Sequence, residues 1–325
     1  MGGGRLDPAV AAGRAAVRDG LDDLAPGSGV VVGVSGGADS LALAASLAFV
    51  GSRAGWHVTA VVVDHGLQPE SAEIAERAAD QCRVLGLPAD VVTVTVGEEG
   101  GPEAAARTAR HAALRARAAE SGAVAVCLAH TLDDQAETVL LGLGRGSGAR
   151  SLAGMAPRSG LVRRPFLGLR RADTEAICAA LDLDPWHDPH NADPRYRRAR
   201  VRHELLPLLE DVLAEGVAES LARTAEQLRR DAELLESLTA GWLDAHPDPT
   251  IPEIAAQHAA VRSRVLHQLA LAAGASAGEL TAAHVARLDS LVTDPRGGRR
   301  IELPGGFSCV READRLLFLP TRPAS

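Results

Sequence analysis

The stretch Val30-Val31-Val32-Gly33-Val34-Ser35-Gly36-Gly37-Ala38-Asp39-Ser40 decides how this chain is read. Its first five residues form an uninterrupted, mostly β-branched run of the kind found in strands covered on both faces. Gly36 and Gly37 then allow positive φ and close approach of backbone to a ligand. Ser40 or Asp39 stands where it would cap the apolar helix expected from Leu41 to Phe49. Free N–H groups at such a helix start, with the positive end of the dipole behind them, suit an anion.

What the chain lacks narrows the kind of anion site. All 34 basic residues are arginine, whereas a Walker A loop needs a lysine after its second glycine to reach the β- and γ-phosphates. The spacing also differs from the GxGxxG of dinucleotide folds. Ser35-Gly36-Gly37-Ala38-Asp39-Ser40 resembles instead the SGGxDS signature of the PP-loop, or N-type, ATP pyrophosphatases. That resemblance implies cleavage of ATP between the α- and β-phosphates and adenylation of a carbonyl oxygen.

On either side of this stretch the pattern alternates. Asp7-Pro8 is a helix start, an N-cap followed by proline at the first helical position, and the amphipathic segment to Leu24 is expected to pack on the sheet edge. His57 to Asp64 reads as a second strand, running into His65-Gly66, and Pro69 to Gly86 as a helix. Asp90 to Val96 reads as a third strand, Gly97 to Gly101 as a loop, Pro102 to Ser121 as a long helix and Val124 to Ala129 as a fourth strand. Strands alternating with helices of this length predict a parallel α/β sheet with right-handed crossovers. Ligands in such sheets bind beyond the carboxyl ends of the strands, where Ser35 to Asp39, Asp64-His65 and His130 all fall.

His130-Thr131-Leu132-Asp133-Asp134-Gln135-Ala136-Glu137-Thr138 forms a second constellation just after that fourth strand. On a helix beginning near Leu132, Asp133, Asp134 and Glu137 share one side. Acids at a helix start favour the dipole without any ligand. At the carboxyl edge of the sheet, behind the glycine turn, the same carboxylates are placed to bind a cationic amine or Mg²⁺.

With 325 residues the chain can bury a sizeable core, and its punctuation divides it into a catalytic domain at 1–214, a connecting helix at 215–245 and a small α+β domain at 246–325. No apolar run reaches membrane-spanning length and Met1-Gly2-Gly3-Gly4-Arg5 lacks the apolar region of a signal peptide, so no membrane partner and a cytoplasmic location are expected. Cys82, Cys127, Cys178 and Cys309 are scattered, as reduced core cysteines are. The oligomeric state stays open, with a homodimer as one option.

A net charge of −8 argues at first against a nucleic-acid partner, but the charge is unevenly spread. Residues 1–137 carry 10 arginines against 18 acids, 138–203 carry 12 against 6, and 204–245 carry 3 against 10. From Thr138 to Ala172 there are seven arginines and no acid, which is either a solvated face or a basic footprint for nucleic acid. Glycine, serine and arginine dominate Gly144 to Arg150, and Arg195, Arg197, Arg198, Arg200 and Arg202 follow further on, with Trp186 and Tyr196 able to stack on bases. Glu215 to Trp242 reads as one acidic amphipathic helix. Beyond it lie helices from Pro252 to Ala273 and Thr281 to Thr293 and a β-rich end, without a catalytic cluster, which fits substrate docking.

Taken together, SGGADS at 35–40, VDHGLQPES at 63–71, EAAARTARHAAL at 103–114, AHTLDDQAETVLLGLGRGSG at 129–148, RPFLGLRR at 164–171 and RVRHELLPLL at 200–209 resemble the tRNA(Ile)-lysidine synthase family, in order and over most of the chain. The resemblance implies that ATP adenylates O2 of the wobble cytidine of a CAU-anticodon tRNA(Ile), and that the ε-amine of free L-lysine then displaces AMP. It also implies roles: Ser35, Gly36, Gly37 and Ser40 for pyrophosphate; Asp39 with Mg²⁺; His130, Asp134 and Glu137 for lysine binding and catalysis. Asp64, at the carboxyl end of the second strand, is expected in the nucleotide site. Arg110 matches an arginine meeting the reacting nucleotide or phosphate, and Arg145, Arg150, Arg198 and Arg202 are expected on tRNA. The family pattern DxSNxDxxYxRNxxR is altered here, with His190 for serine and Ala199 for asparagine, which removes any side-chain hydrogen bond from position 199. The alternative is a PP-loop tRNA thiolation enzyme, which usually needs paired cysteines that this sequence lacks.

Overall fold

The computed structural model describes residues 6–66, 70–95, 97, 102–144, 151–189, 193–294 and 300–321. They fall into two compact units, Met1–Gly144 with Gly154–Thr224, and Arg145–Ala153 with Ala225–Ser325.

The first unit is built from α1 (Pro8–Gly20), β1 (Gly29–Val34), α2 (Ala38–Ala54), β2 (His57–Asp64), α3 (Ser71–Val84), β3 (Ala89–Thr93), α4 (Pro102–Ser121), β4 (Ala125–Cys127) and α5 (Leu132–Leu143). A short hairpin, β5 (Arg158–Ser159) and β6 (Val162–Arg163), then leads to α6 (Arg171–Ala180). The sheet order is β3-β2-β1-β4-β6-β5, parallel throughout except for β5. Side chains of a strand alternate between faces, and here both faces are covered, which is why the valine run carries no polar break. Val30, Val32 and Val34 join α1, α2, α3 and α6 in one core, while Val31, Val61 and Val126 meet Leu114 and Ala118 of α4 in the other. Gly33 lies on the α4 face, where a Cβ would come within 2.9 Å of Leu114 Cδ1.

Several expectations are corrected. The helix after the glycine turn begins at Ala38, with Gly37 at its N-cap and no side-chain cap, so neither Ser40 nor Asp39 caps it. Helix α1 has the expected Asp7 cap but lies against α2 and α6 instead of the sheet edge; a Cβ on Gly13 would sit 2.7 Å from Ile177 Cδ1. The third and fourth strands are shorter than their apolar runs, and the β5–β6 hairpin extends the sheet beyond them. After α6 come α7 (Arg197–Arg200), a π-helical turn at Val201–Leu205 and α8 (Leu206–Val212), which run on as one helix. Pro207 lacks an amide hydrogen, and the wide turn just before it accommodates that loss.

Helix α9 (Val217–Ala245) leads into the second unit, which holds α10 (Ile251–Ala255), α11 (Ala259–Ala272), α12 (Ala282–Thr293) and an antiparallel sheet of β7 (Arg300–Leu303), β8 (Phe307–Glu312) and β9 (Arg315–Pro320). The single helix expected from Pro252 to Ala273 is two, because His258 breaks it and caps α11 by accepting from the Ala260 amide at 3.2 Å. Ile254, Leu266, Leu288 and Leu291 fill the centre of this unit. Among the described residues no helix is long and apolar enough to cross a membrane.

Candidate active site

Strand β1 ends in the glycine turn, and the turn is held open from within. Gly36 takes φ +83°, in the left-handed region that an L side chain rarely adopts. Ser40 Oγ donates to Gly37 O at 2.9 Å and accepts from Ser35 N at 3.1 Å, with Ser35 Oγ at 3.3 Å. Ser40 therefore shapes the loop from inside in place of the capping role read from the sequence. The amide of Trp186 donates to Gly36 O at 2.9 Å and fixes the outer side. The amides of Gly36, Gly37, Ala38 and Asp39 donate to no acceptor among the described residues. Several N–H groups directed outward from a helix N-terminus form a concave anion seat.

Beside this loop lies a cavity lined by Gly33, Ser35, Asp39, Ser40, Arg110 and His130, with Val61, Val63, Leu114 and Leu128 on its apolar side. An apolar slot joined to a phosphate seat has the shape of a nucleotide site. Asp39 reaches in from the first turn of α2 and accepts a hydrogen bond from Thr174 Oγ1; burial pushes its carboxyl up to about 6. Asp64 turns back on itself instead, accepting from the Gly66 amide at 2.9 Å.

On the far side of Asp39 stand the acids of α5. Thr131 and Asp134 form a capping box: Asp134 Oδ2 accepts from Thr131 N at 2.8 Å. Its other oxygen faces Arg171 Nη2 at 3.3 Å and Arg202 Nη2 at 3.6 Å. Burial alone would raise the Asp134 carboxyl, but the Thr131 amide and Arg171 reverse this and hold it below its ordinary value. Glu137 has no exposed side-chain surface; Arg202 Nε donates to it at 2.7 Å and Arg198 Nε at 2.9 Å. Arg171 ties the loop and the acids together, with Nε 3.7 Å from Asp39 and Nη2 3.7 Å from Glu137. Asp133 anchors the start of α6 by accepting from the Arg171 amide at 2.7 Å.

The third part of the site is basic. Arg110 and His111 come from α4, His65 follows β2, His130 follows β4 and Arg164 follows β6. Burial, and then the charges of Arg164, Arg107 and Arg110, lower the His130 imidazole to about 3, although Asp134 opposes this. His111 falls to about 4 for the same first reason, with Arg110 next. Both rings are therefore neutral at physiological pH.

The structure thus brings Ser35, Gly36, Gly37, Asp39, Ser40, Arg110, His130, Asp134 and Glu137 to one carboxyl edge. Arg198 and Arg202, expected on tRNA, join that edge as partners of Glu137, while Arg145, Arg150, His190 and Asn191 lie outside the described residues. Ala199 is buried, so the position that has lost its asparagine faces protein. Arg171, Thr174 and the Trp186 amide were not singled out from the sequence. The only signal for Arg171 was its place in the RPFLGLRR stretch, because its acid partners lie far away in the chain. Among the described residues no group of three or more His, Cys, Asp or Glu is arranged to hold a metal ion by itself.

A PP-loop domain family matches residues 15–209, and the TilS substrate binding domain family matches residues 250–317. The tRNA(Ile)-lysidine synthase of Thermobifida fusca is 52% identical over 307 residues, 92% of this chain and 94% of the relative. That of Salinispora tropica is 50% identical over 321 residues, 96% of each chain, and that of Streptomyces coelicolor 51% identical over 297 residues, 89% and 84%. Among solved structures, the U34-tRNA thiolase NcsA of Methanococcus maripaludis with its 4Fe-4S cluster has the same fold, with a TM-score of 0.58 at 21% identity over 68% of this chain and 79% of that one. With both units matched and half of all residues identical along nearly the full length, the chain belongs to the tRNA(Ile)-lysidine synthase family.

Proposed function

We propose that this protein is an ATP-dependent C–N bond-forming ligase that converts the wobble cytidine of CAU-anticodon tRNA(Ile) to lysidine, using free L-lysine and releasing AMP and pyrophosphate. One observation carries the reading: Arg171 spans the end of the ATP loop and the acids of α5, at 3.7 Å from Asp39 and 3.3 Å from Asp134, so a nucleotide site and an amine site adjoin. The loop amides would hold the leaving pyrophosphate through charge that develops in the transition state. Asp39 fits Mg²⁺, because it is a carboxyl of the first turn after the glycine loop that lines the nucleotide cavity, and Mg²⁺ commonly takes one or two protein carboxylates with phosphate oxygens. Bound there, the ion would neutralise phosphate charge.

Asp134, partly exposed, would meet the ammonium of lysine, and Glu137 would hold Arg198 and Arg202 in place around it. Those two arginines, with Arg145 and Arg150, would meet tRNA phosphates. His130, uncharged, can accept a proton from an attacking amine but is a weak base, so it would act after C–N bond formation has made that nitrogen acidic. A thiolation reading would need a reactive thiol, whereas burial pushes Cys82 and Cys178 up to about 11 and Cys127 and Cys309 up to about 12.

The test uses α-labelled ATP with the full chain and CAU-anticodon tRNA(Ile). Without lysine, label should accumulate on the RNA; added lysine should discharge it as AMP and leave lysidine, detected by mass spectrometry. Asp39→Asn should lose the labelled RNA, and Asp134→Asn should keep it while losing its discharge. Label in ADP, or none on the RNA, would overturn the mechanism.

A further inference from the structure

The hydrogen bond from the Trp186 amide to Gly36 O is supported by a series of contacts that begins on α3. Just past α6, Asp182 takes φ +52°, a left-handed conformation that aspartate tolerates better than most side chains, and the Leu183 amide donates back to Cys178 O at 2.9 Å. Reversed in this way, the chain runs as the strap Asp184-Pro185-Trp186 from α3 to the glycine turn. Gln81 of α3 grips the strap at two points: Oε1 accepts from Asp184 N at 2.8 Å, and Nε2 donates to Asp184 O at 3.0 Å. Arg77, one helical turn earlier, holds the Asp184 carboxylate at 3.1 Å.

The strap is stiff. The ring of Pro185 locks φ at about −65° and biases Asp184 toward extended backbone, so the grip of Gln81 passes to the Trp186 amide with little freedom between them. No other described residue donates to Gly36 O. In a trans peptide the C=O and N–H point in opposite directions. Drawing Gly36 O outward therefore turns Gly37 N–H inward, to the anion seat, where it has no acceptor among the described residues. Ser40 does the same for the next peptide, its Oγ donating to Gly37 O at 2.9 Å and so aiming Ala38 N–H. One clamp is local, and the other comes from a distant part of the sequence. Glycine on both sides of the Gly36–Gly37 peptide lets it rotate through about half a turn, which would present a carbonyl oxygen to the phosphate in place of an N–H.

We infer that Gln81 is a positioning residue for the pyrophosphate seat: through Asp184 and Trp186 it holds the Gly36–Gly37 peptide in the orientation that offers an anion its N–H. The inference rests on the proposed use of the glycine loop for ATP. Gln81 does not line the cavity beside that loop, so it acts only through the strap. Hydrogen bonds from N–H groups to phosphate oxygens are charge-assisted and strong, and a rotated peptide replaces one of them by repulsion between oxygens. The effect falls on ligands that carry a diphosphate. Adenosine has no phosphate to meet the turned peptide, and its base has the apolar side of the cavity, formed by Val61, Val63, Leu114 and Leu128.

The experiment compares ligands with and without a diphosphate on the full chain, and it measures binding, so it does not depend on turnover. Affinities for inorganic pyrophosphate, ATP and adenosine are measured by calorimetry in Gln81→Leu, which removes both bonds to Asp184 at nearly constant size, and amide hydrogen exchange is followed at Trp186. Exchange at Trp186 should quicken. Pyrophosphate and ATP should weaken by roughly tenfold, the size of one charge-assisted hydrogen bond, while adenosine stays within about twofold of wild type. Pro185→Gly leaves every hydrogen-bonding side chain in place but loosens the strap, and should shift the three ligands in the same pattern by a smaller factor. Gln81→Glu keeps the acceptor for the Asp184 amide and loses the donor, so it should fall between Gln81→Leu and wild type. Unchanged exchange at Trp186, unchanged pyrophosphate affinity, or an equal loss for all three ligands would overturn the inference, since an equal loss is what general loosening of the fold gives. If the pyrophosphate results hold while no lysidine forms on CAU-anticodon tRNA(Ile), the proposed reaction fails and the role of Gln81 stands.

Discussion

Glu137 and Arg110 stand at the same carboxyl edge, the first buried and the second half-buried with its Nε shut off from solvent, and the fold treats them in opposite ways. Glu137, with 0% of its side chain exposed, is hydrogen-bonded by Arg198 and Arg202 and approached by Arg171. Arg110 makes no ion pair among the described residues, although the charge of Asp134 acts on it, and its Nε has no acceptor. The first arrangement is complete in the protein alone, and the second leaves a buried donor over. A buried charge with all its partners holds the architecture in place, whereas one left with a spare donor is a candidate binding position.

The strongest way to break this comparison is Glu137→Gln. It leaves three guanidiniums facing a neutral amide, and breaking a buried pair on one side costs about 3–5 kcal/mol; because Arg171, Arg198 and Arg202 keep some exposure, about 3 kcal/mol is expected. Urea unfolding checks it, and a loss below about 1 kcal/mol would mean the cluster is no more than a surface network. Arg110→Met should act in the other direction. Removing a desolvated guanidinium whose Nε has no acceptor should raise stability by about 1 kcal/mol while lysidine formation collapses, the familiar exchange between stability and function. A fall in thermal stability would mean that the attraction of Asp134 outweighs the cost of burying the guanidinium.

The smallest effect is the pH dependence, which sharpens the basic side. His111 binds a proton at about 4 in the folded chain against 6.5 when unperturbed. Between these values the unfolded chain holds the extra proton, so stability falls as pH drops from about 6.5 toward about 4. His111→Gln should flatten this part of a plot of melting temperature against pH, leaving the region above pH 7 unchanged. A parallel curve would show that the ring is not desolvated in solution.

Much of the first unit was legible because its signals are local. The valine run, the glycine turn and the alternation of strand with helix each depend on neighbours in sequence, and the edge where Ser35, Asp39 and His130 gather follows from them. The β5–β6 hairpin was not legible, since two-residue strands such as Val162–Arg163 carry no periodicity. Nor was the neutralisation of the basic run: Arg163 meets Asp23, and Arg171 meets Asp39, across more than a hundred residues of chain. The helix cap at Ser40 was misassigned for a related reason, because a serine beside a glycine turn can bond inward to the turn or outward to the helix start, and spacing does not distinguish the two. Charge counts describe a segment, and only the fold decides which charges remain for a partner.

The bond from the Trp186 amide to Gly36 O also orders events during synthesis. Strand β1 and helix α2 leave the ribosome early, but the residue that clamps the turn between them is translated far later, after the whole parallel sheet. A chain arrested between β4 and α6 would carry the glycine motif without its outer clamp. Nucleotide affinity should therefore emerge late, as a non-local contact of high sequence separation, and a nascent chain would not hold ATP until it has been made as far as Trp186.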